Sequence, residues 1–290
     1  MELIESKAEL LLQPEGLEGV YKQIELCGRT CYKSTNKITD ESAKPFVERM
    51  IASKHTAMLE QGTVYLKYTC VKSDLNPLIK YREFLNGSKY SKCNIKYNDL
   101  TMTYYITTNL RVLVENGWLD DLKYICKPTE HHEKRYTIKF ITDRGVSHEL
   151  VRHRVFSFAQ ESTRYCNYSK DKFGKEITFI IPSWCPNYDE TDWDELLHTL
   201  QKTEDGYFAL LAKGCTPQQA RQVLPNALKT EVCMTGFASD WRFFFDLRYY
   251  GETGKPHPDM ELLASKARFE FMKAGLWDDI MSYPSKFYHE

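Results

Sequence analysis

Residues 152–165, RHRVFSFAQESTRY, set Arg152, His153, Arg154 and Arg164 among hydroxyls and aromatic rings. A guanidinium is a planar, permanently charged fork that grips phosphate or carboxylate through paired N–H groups. Ser162 adds a hydroxyl donor. Phe156 and Phe158 put apolar surface between the charges, which a merely soluble face does not need. An isolated Arg-His-Arg reads better as a solvated basic patch paired with Glu149 and Glu161, because surface ion pairs are common and weak. Ser162 and Arg164 tip the balance toward a site for an anion.

Covalent chemistry at Ser162 is not expected. A serine nucleophile needs a base within reach and an oxyanion hole, and no G-x-S-x-G elbow surrounds this residue. Arg221, in ARQVLP, and Arg248, in DLRYY, close two helical patterns. One arginine at a helix end is usually a partner for the dipole; two converging on the first cluster would make a pocket for a phosphate and a base. His131, His132 and Glu133 read as a solvated loop, since adjacent histidines diverge and no third metal ligand is suitably spaced.

The bulk of the chain sets limits on these sites. Its 290 residues carry 39 lysines and arginines against 40 acids. No global field attracts nucleic acid or an anionic membrane, so any anion site is local. No apolar run approaches the roughly 20 residues of a membrane span, and no secretory leader is evident. Nine cysteines without a C-x-x-C pair read as reduced thiols of a cytoplasmic protein. No glycine-rich dinucleotide or P-loop fingerprint is present.

The elements that must position the candidates read as α+β, a mixed sheet with packed helices in one domain over 1–290. Residues 15–35 read as a strand or turn leading to a polar loop. A helix over 42–53 starts behind Ser42, a strand covers 63–70, and a helix over 75–87 stops at Gly87. Residues 107–126 read as one or two helices broken at Asn116–Gly117. A strand over 136–143 precedes a short helix capped by Ser147, which would align Glu149, Arg152 and His153 on one face. Later come a strand over 176–182, a helix over 192–211, a helical stretch over 216–224 with Thr216 as cap and Pro217 first, and helices over 226–246 and 257–274.

Arg152-His153-Arg154 followed by Ser162 and Arg164 resembles the signature of flavin-dependent thymidylate synthases. CGRTCYKS, HTAMLEQGTVYL, SHELVRHR, ARQVLP and DLR occur in that family's order, over roughly residues 20–275. The resemblance implies a homotetramer that methylates deoxyuridine monophosphate (dUMP) to deoxythymidine monophosphate. Methylenetetrahydrofolate would supply carbon, and NADPH would supply electrons through FAD. It further implies that Glu149, Arg152, Gln160, Ser162, Arg164, Arg221 and Arg248 hold dUMP, while Thr63, Arg152, His153, Arg154 and Gln160 meet FAD. Arg248 would be catalytic, favouring the ionised form of uracil nitrogen 3 and so raising electron density at carbon 5.

Some positions depart from the family pattern. Gln61 stands where a histidine is common, Phe237 and Ser239 replace polar flavin contacts, and YYGETGKP after Arg248 is long. These bear on flavin affinity and hydride transfer, not on nucleotide binding. Two rivals stand beside the enzyme: a weakened nucleotide- or flavin-binding protein on the same fold, and a single-stranded nucleic-acid binder. Near-zero net charge weighs against the second.

Overall fold

A computed structural model describes residues 1–85, 88–164, 166–168, 176–185 and 191–287. Nine strands occur among them: β1 (Glu2–Ile4), β2 (Lys7–Leu11), β3 (Thr63–Val71), β4 (Lys92–Tyr97), β5 (Thr101–Asn109), β6 (Arg135–Asp143), β7 (Ser157–Gln160), β8 (Thr178–Ile180) and β9 (Lys229–Phe237). The helices are α1 (Gly16–Cys31), α2 (Ala43–Ala52), α3 (Asn76–Lys80), α4 (Arg82–Leu85), α5 (Leu110–Glu115), α6 (Arg144–Leu150), α7 (Thr191–Ala212), α8 (Pro217–Ala220), α9 (Ala238–Arg248), α10 (Pro258–Lys273) and α11 (Trp277–Met281). Gly87 and Tyr165 lie outside the described residues.

The α+β class holds, but the strands divide among three sheets in place of one mixed sheet. β2-β6-β9-β7 and β3-β5-β4 are antiparallel, and β1-β8 is a parallel pair. The four-stranded sheet organises the molecule, with β6 and β9 at its centre. Alternation along a strand sends successive side chains to opposite faces. Ile138, Phe140, Val232 and Met234 therefore meet α6, α9 and α10 in an aromatic core with Trp241, Phe244 and Phe271. Thr137, Thr235 and Ser157 turn the other way, toward α1 and the 3-10 turn Thr56–Gln61.

Close packing on the aromatic face makes Gly236 indispensable. A Cβ there would fall on the ring of Phe156, which is 2% exposed and packs against Trp241 at 4.8 Å between ring centroids. Gly236→Ala is expected to cost about 1–3 kcal/mol through overpacking. Urea denaturation measures this, and an unchanged midpoint would show that the ring relaxes freely.

The local expectations fail in instructive places. Residues 16–31 are helical. Val20, Ile24, Cys27 and Cys31 form a buried stripe, and Gly28 is there because a Cβ would come 2.7 Å from the Phe46 ring. Residues 101–109 are a strand, and only 110–115 of the expected helix form before Gly117 breaks it at φ +69°. Residues 75–85 form two short helices. The long helix over 226–246 is a strand followed by a helix, because β9 is buried on both faces and shows little alternation. Ser42 does not cap α2; its hydroxyl donates to Glu25 Oε2 at 2.8 Å. Asp143, not Ser147, caps α6 by accepting from Val146 N–H at 2.8 Å.

Candidate functional site

Helix α6 is the spine of the site. Because it ends at Leu150, Arg152 and His153 are not on its face as expected but in the turn that follows. Glu149 near its end receives an N–H from Arg248, with Nη1 to Oε2 at 2.7 Å. The second prong, Arg248 Nε, donates to His153 Nε2 at 3.0 Å. Arg248 is the last residue of α9, and its terminal Nη2 has no protein partner among the described residues.

His153 is buried against Phe156 and Phe244. Burial, aided by the Arg248 charge, pushes its pKa down to about 3. The ring is therefore neutral at physiological pH and accepts through Nε2, which fixes the remaining proton on Nδ1. A neutral imidazole and a carboxylate together hold one guanidinium in a single orientation.

The middle of α6 faces Gln160. Its side-chain N–H group donates to Ser147 Oγ at 3.0 Å and to Thr230 Oγ1 at 3.3 Å, joining β7 to α6 and β9. The other end of α6 meets the segment around Arg221. Arg221 Nη1 donates to Thr163 Oγ1 at 3.2 Å, and Arg164 Nε donates to Gln218 Oε1 at 3.2 Å. Ser162 Oγ accepts from Arg164 N–H at 3.3 Å, while Ser162 N–H donates to Cys31 O. A cavity of about 310 Å³ opens here between Arg144, Thr163 and Arg221. Cavities of about 350 and 400 Å³ flank Glu149 at the far end, the second lined by Arg248.

Arg144 was not singled out in the sequence, yet it lines the Arg221 cavity and its Nη1 is buried without a partner among the described residues. A signal was available. Arg144 takes the first helical position of α6, where the dipole disfavours a cation.

Not every candidate converges. Arg152 and Arg154 are exposed at the end of α6. Thr63 lies across the four-stranded sheet from Gln160, beside Arg135, so one chain alone does not gather the five residues expected at FAD. His132 is also not in a solvated loop. It is 4% exposed, donates through Nε2 to Leu66 O at 3.1 Å and packs edge-on to Tyr65 and Tyr105.

No helix of the described residues is long and apolar enough to cross a membrane. The chain is 34% identical over 119 residues to the flavin-dependent thymidylate synthase of Geobacter sulfurreducens, covering 41% of this chain and 49% of that protein. It is 33% identical over 149 residues to the Corynebacterium efficiens protein of the same name, covering 47% and 55%. The chain thus spans about half the length of the curated relatives it matches. A UMP/dUMP methylase from Streptomyces cacaoi, solved with 5-Br dUMP, aligns over 98% of both chains at 13% identity and a TM-score of 0.45. Residues 126–274, which hold the α6 spine, Arg221 and Arg248, match the thymidylate synthase complementing protein family, and the chain belongs to it.

Proposed function

We propose that the chain methylates dUMP to deoxythymidine monophosphate, with methylenetetrahydrofolate as carbon source and NADPH-reduced FAD as hydride source. Arg248 is the single observation that carries this reading. Glu149 and His153 consume two of its prongs and leave the third for a ligand. A guanidinium so fixed stabilises negative charge developing on a uracil ring without having to reorganise.

At the other end of α6, Arg144 and Arg221, with Ser162 and Arg164 beside them, would take the phosphate dianion. The α6 rise of about 1.5 Å per residue sets Arg144 and Glu149, five positions apart, about 7.5 Å from each other along the axis, within the scale of a nucleoside monophosphate. Gln160 sits between them, where the sugar or base passes. Arg152 would close the nucleotide site from the turn after α6.

Thr63, Arg152, His153, Arg154 and Gln160 would hold FAD, which supplies hydride chemistry when bound. The exposed Arg152 and Arg154 suit its diphosphate. Thr63 on the far sheet face supports assembly as a homotetramer, in which a neighbour's Thr63 meets the other four. Ser162 serves as a binding hydroxyl, its oxygen accepting from the Arg164 N–H.

The test is product formation from radiolabelled dUMP with FAD, NADPH and the folate, each omitted in turn. Label in thymidylate that requires all three is the expected result. Bound dUMP and FAD without product would instead favour a nucleotide-binding protein, and a colourless protein that cannot be reconstituted with FAD would overturn the flavin reading.

A further inference from the structure

Arg135 is a buried cation without a carboxylate. It is 7% exposed, and among the described residues no acid lies within ion-pair distance. Its partners are neutral and long: Glu60 O at 3.3 Å, Thr63 Oγ1 at 3.4 Å and Ser157 Oγ at 3.4 Å. The nearby Glu60 carboxylate is taken by Arg111. Phe237 offers its ring to the guanidinium at 5.5 Å and to Lys92 at 4.5 Å. Burial pushes the Arg135 pKa down only to about 10, so the charge persists at neutral pH. A charge held out of water costs several kcal/mol unless an opposite charge and full hydrogen bonding offset it.

The surroundings show the same imbalance. Arg135 Nε, Gln61 Nε2 and Asn109 Nδ2 are buried N–H groups without acceptors among the described residues. All three neighbour Thr63. Gln61 is two residues before it, Asn109 pairs with it across β3 and β5, and Arg135 bonds its hydroxyl. Gln61 spends its oxygen on Thr235 at 2.6 Å, so only its donor is left. Buried donors are nearly always paired, and a surplus of donors around one cation calls for an acceptor-rich anion. Thr63 and Arg135 also belong to the wall of a cavity of about 320 Å³ with Gln13, Tyr65 and Lys134, which gives a route from solvent.

We propose that Arg135 is an oxyanion-binding residue, and that a phosphate-type group of a bound ligand completes the donor set of Arg135, Thr63 and Gln61. This accounts for Gln61, Phe237 and Ser239, three of the departures from the family pattern, as one unit. Phe237 shields the guanidinium, Ser239 anchors Lys92 at 2.7 Å, and Gln61 contributes an N–H. It deepens the flavin reading, because a dinucleotide cofactor carries such a group, but free phosphate or pyrophosphate has the same chemistry.

The experiment measures the full chain and Arg135→Met by thermal shift with inorganic pyrophosphate, and by absorbance titration with FAD, at constant ionic strength. Wild type is expected to be stabilised by pyrophosphate and to bind FAD. Arg135→Met, folded and no less stable without ligand, should lose the pyrophosphate shift and bind FAD at least tenfold more weakly, with dUMP affinity retained. Thr63→Val, which removes one acceptor of Arg135 and no charge, should weaken both anions with the fold intact, and it decides the matter if Arg135→Met does not fold. Equal affinity of wild type and Thr63→Val or Arg135→Met for pyrophosphate and FAD overturns the inference while leaving the enzyme reading standing. Pyrophosphate binding that depends on Arg135, without FAD binding, does the reverse. Absence of a pyrophosphate shift in wild type overturns the inference outright.

Discussion

Arg248→Lys is expected to cut turnover by about 10²–10³, the usual effect of losing one preorganised donor at a developing charge, while dUMP affinity falls less than tenfold. Lysine keeps the charge but not the fork. One ammonium cannot donate along the Arg248 Nε and Nη1 directions, to His153 and Glu149, and also present a third group in a fixed plane. It will settle on the Glu149 carboxylate, where the Coulomb attraction is strongest, and withdraw from the ligand. Single-turnover kinetics separate chemistry from binding. Equal losses in both would make Arg248 a uniform binding group. His153 gives an independent readout: burial is the first cause of its low pKa, so the ring should stay neutral at pH 5 in the variant by NMR. A histidine that titrates near 6.5 would mean that the pocket had opened and that the loss was structural.

The part of this site legible in the sequence is the part whose chemistry is local. Arg152-His153-Arg154, Ser162 and Arg164 lie within one stretch, and the arginines closing two later helices match the same pattern. Their partners were not legible, because Glu149 and His153 hold Arg248 only after α9 packs over the sheet. β9 shows the same limit at the level of fold. Lys229 and Glu231 look like exposed helix formers, yet Lys229 is buried, Glu231 is partly buried, and the two are paired with each other. A charge neutralised by a distant strand leaves no trace in local hydropathy. Arg135 is the converse case. It stands at the head of an alternating strand, where its burial could not be read from its neighbours, and its consequence appears only once Thr63 and Gln61 are brought beside it.

The buried charges at the other end of that sheet face give the second large effect. Lys229 Nζ lies 3.1 Å from Glu161 Oε2 and also pairs with Glu231; Lys33 approaches Glu161 at 3.6 Å, and Lys139 approaches Glu231 at 3.7 Å. The Lys229 and Glu161 side chains are 7% and 1% exposed. Lys229→Ala is expected to destabilise the fold by about 3–5 kcal/mol, because it leaves buried carboxylates without their nearest cation. The loss should reach the site, since Glu161 immediately precedes Ser162 and its N–H donates to Glu231 O at 2.8 Å. The pH dependence identifies the cause. Burial alone would raise the Glu231 carboxyl, but Lys229, with Lys139 and Lys33 behind it, leaves it below its usual 4.5. A depressed pKa gives wild type stability that is present above pH 4.5 and lost as pH falls below it. In Lys229→Ala burial wins and Glu231 moves above 4.5, so folding takes up a proton there and this contribution to stability rises as pH drops from 7 toward 5. Wild type should lose stability over that interval, because His153 stays neutral in the fold down to about 3 while the unfolded imidazole protonates near 6.5; Lys229→Ala shares this loss and offsets part of it through Glu231. Urea midpoints at pH 5 and 7 for both proteins check the difference in slope, the variant falling less than wild type; parallel behaviour would mean that Lys229 contributes packing and not charge. Lys229→Met with Glu161→Leu should then recover part of the loss, because it removes the more deeply buried of the two carboxylates that the single change leaves without their nearest cation.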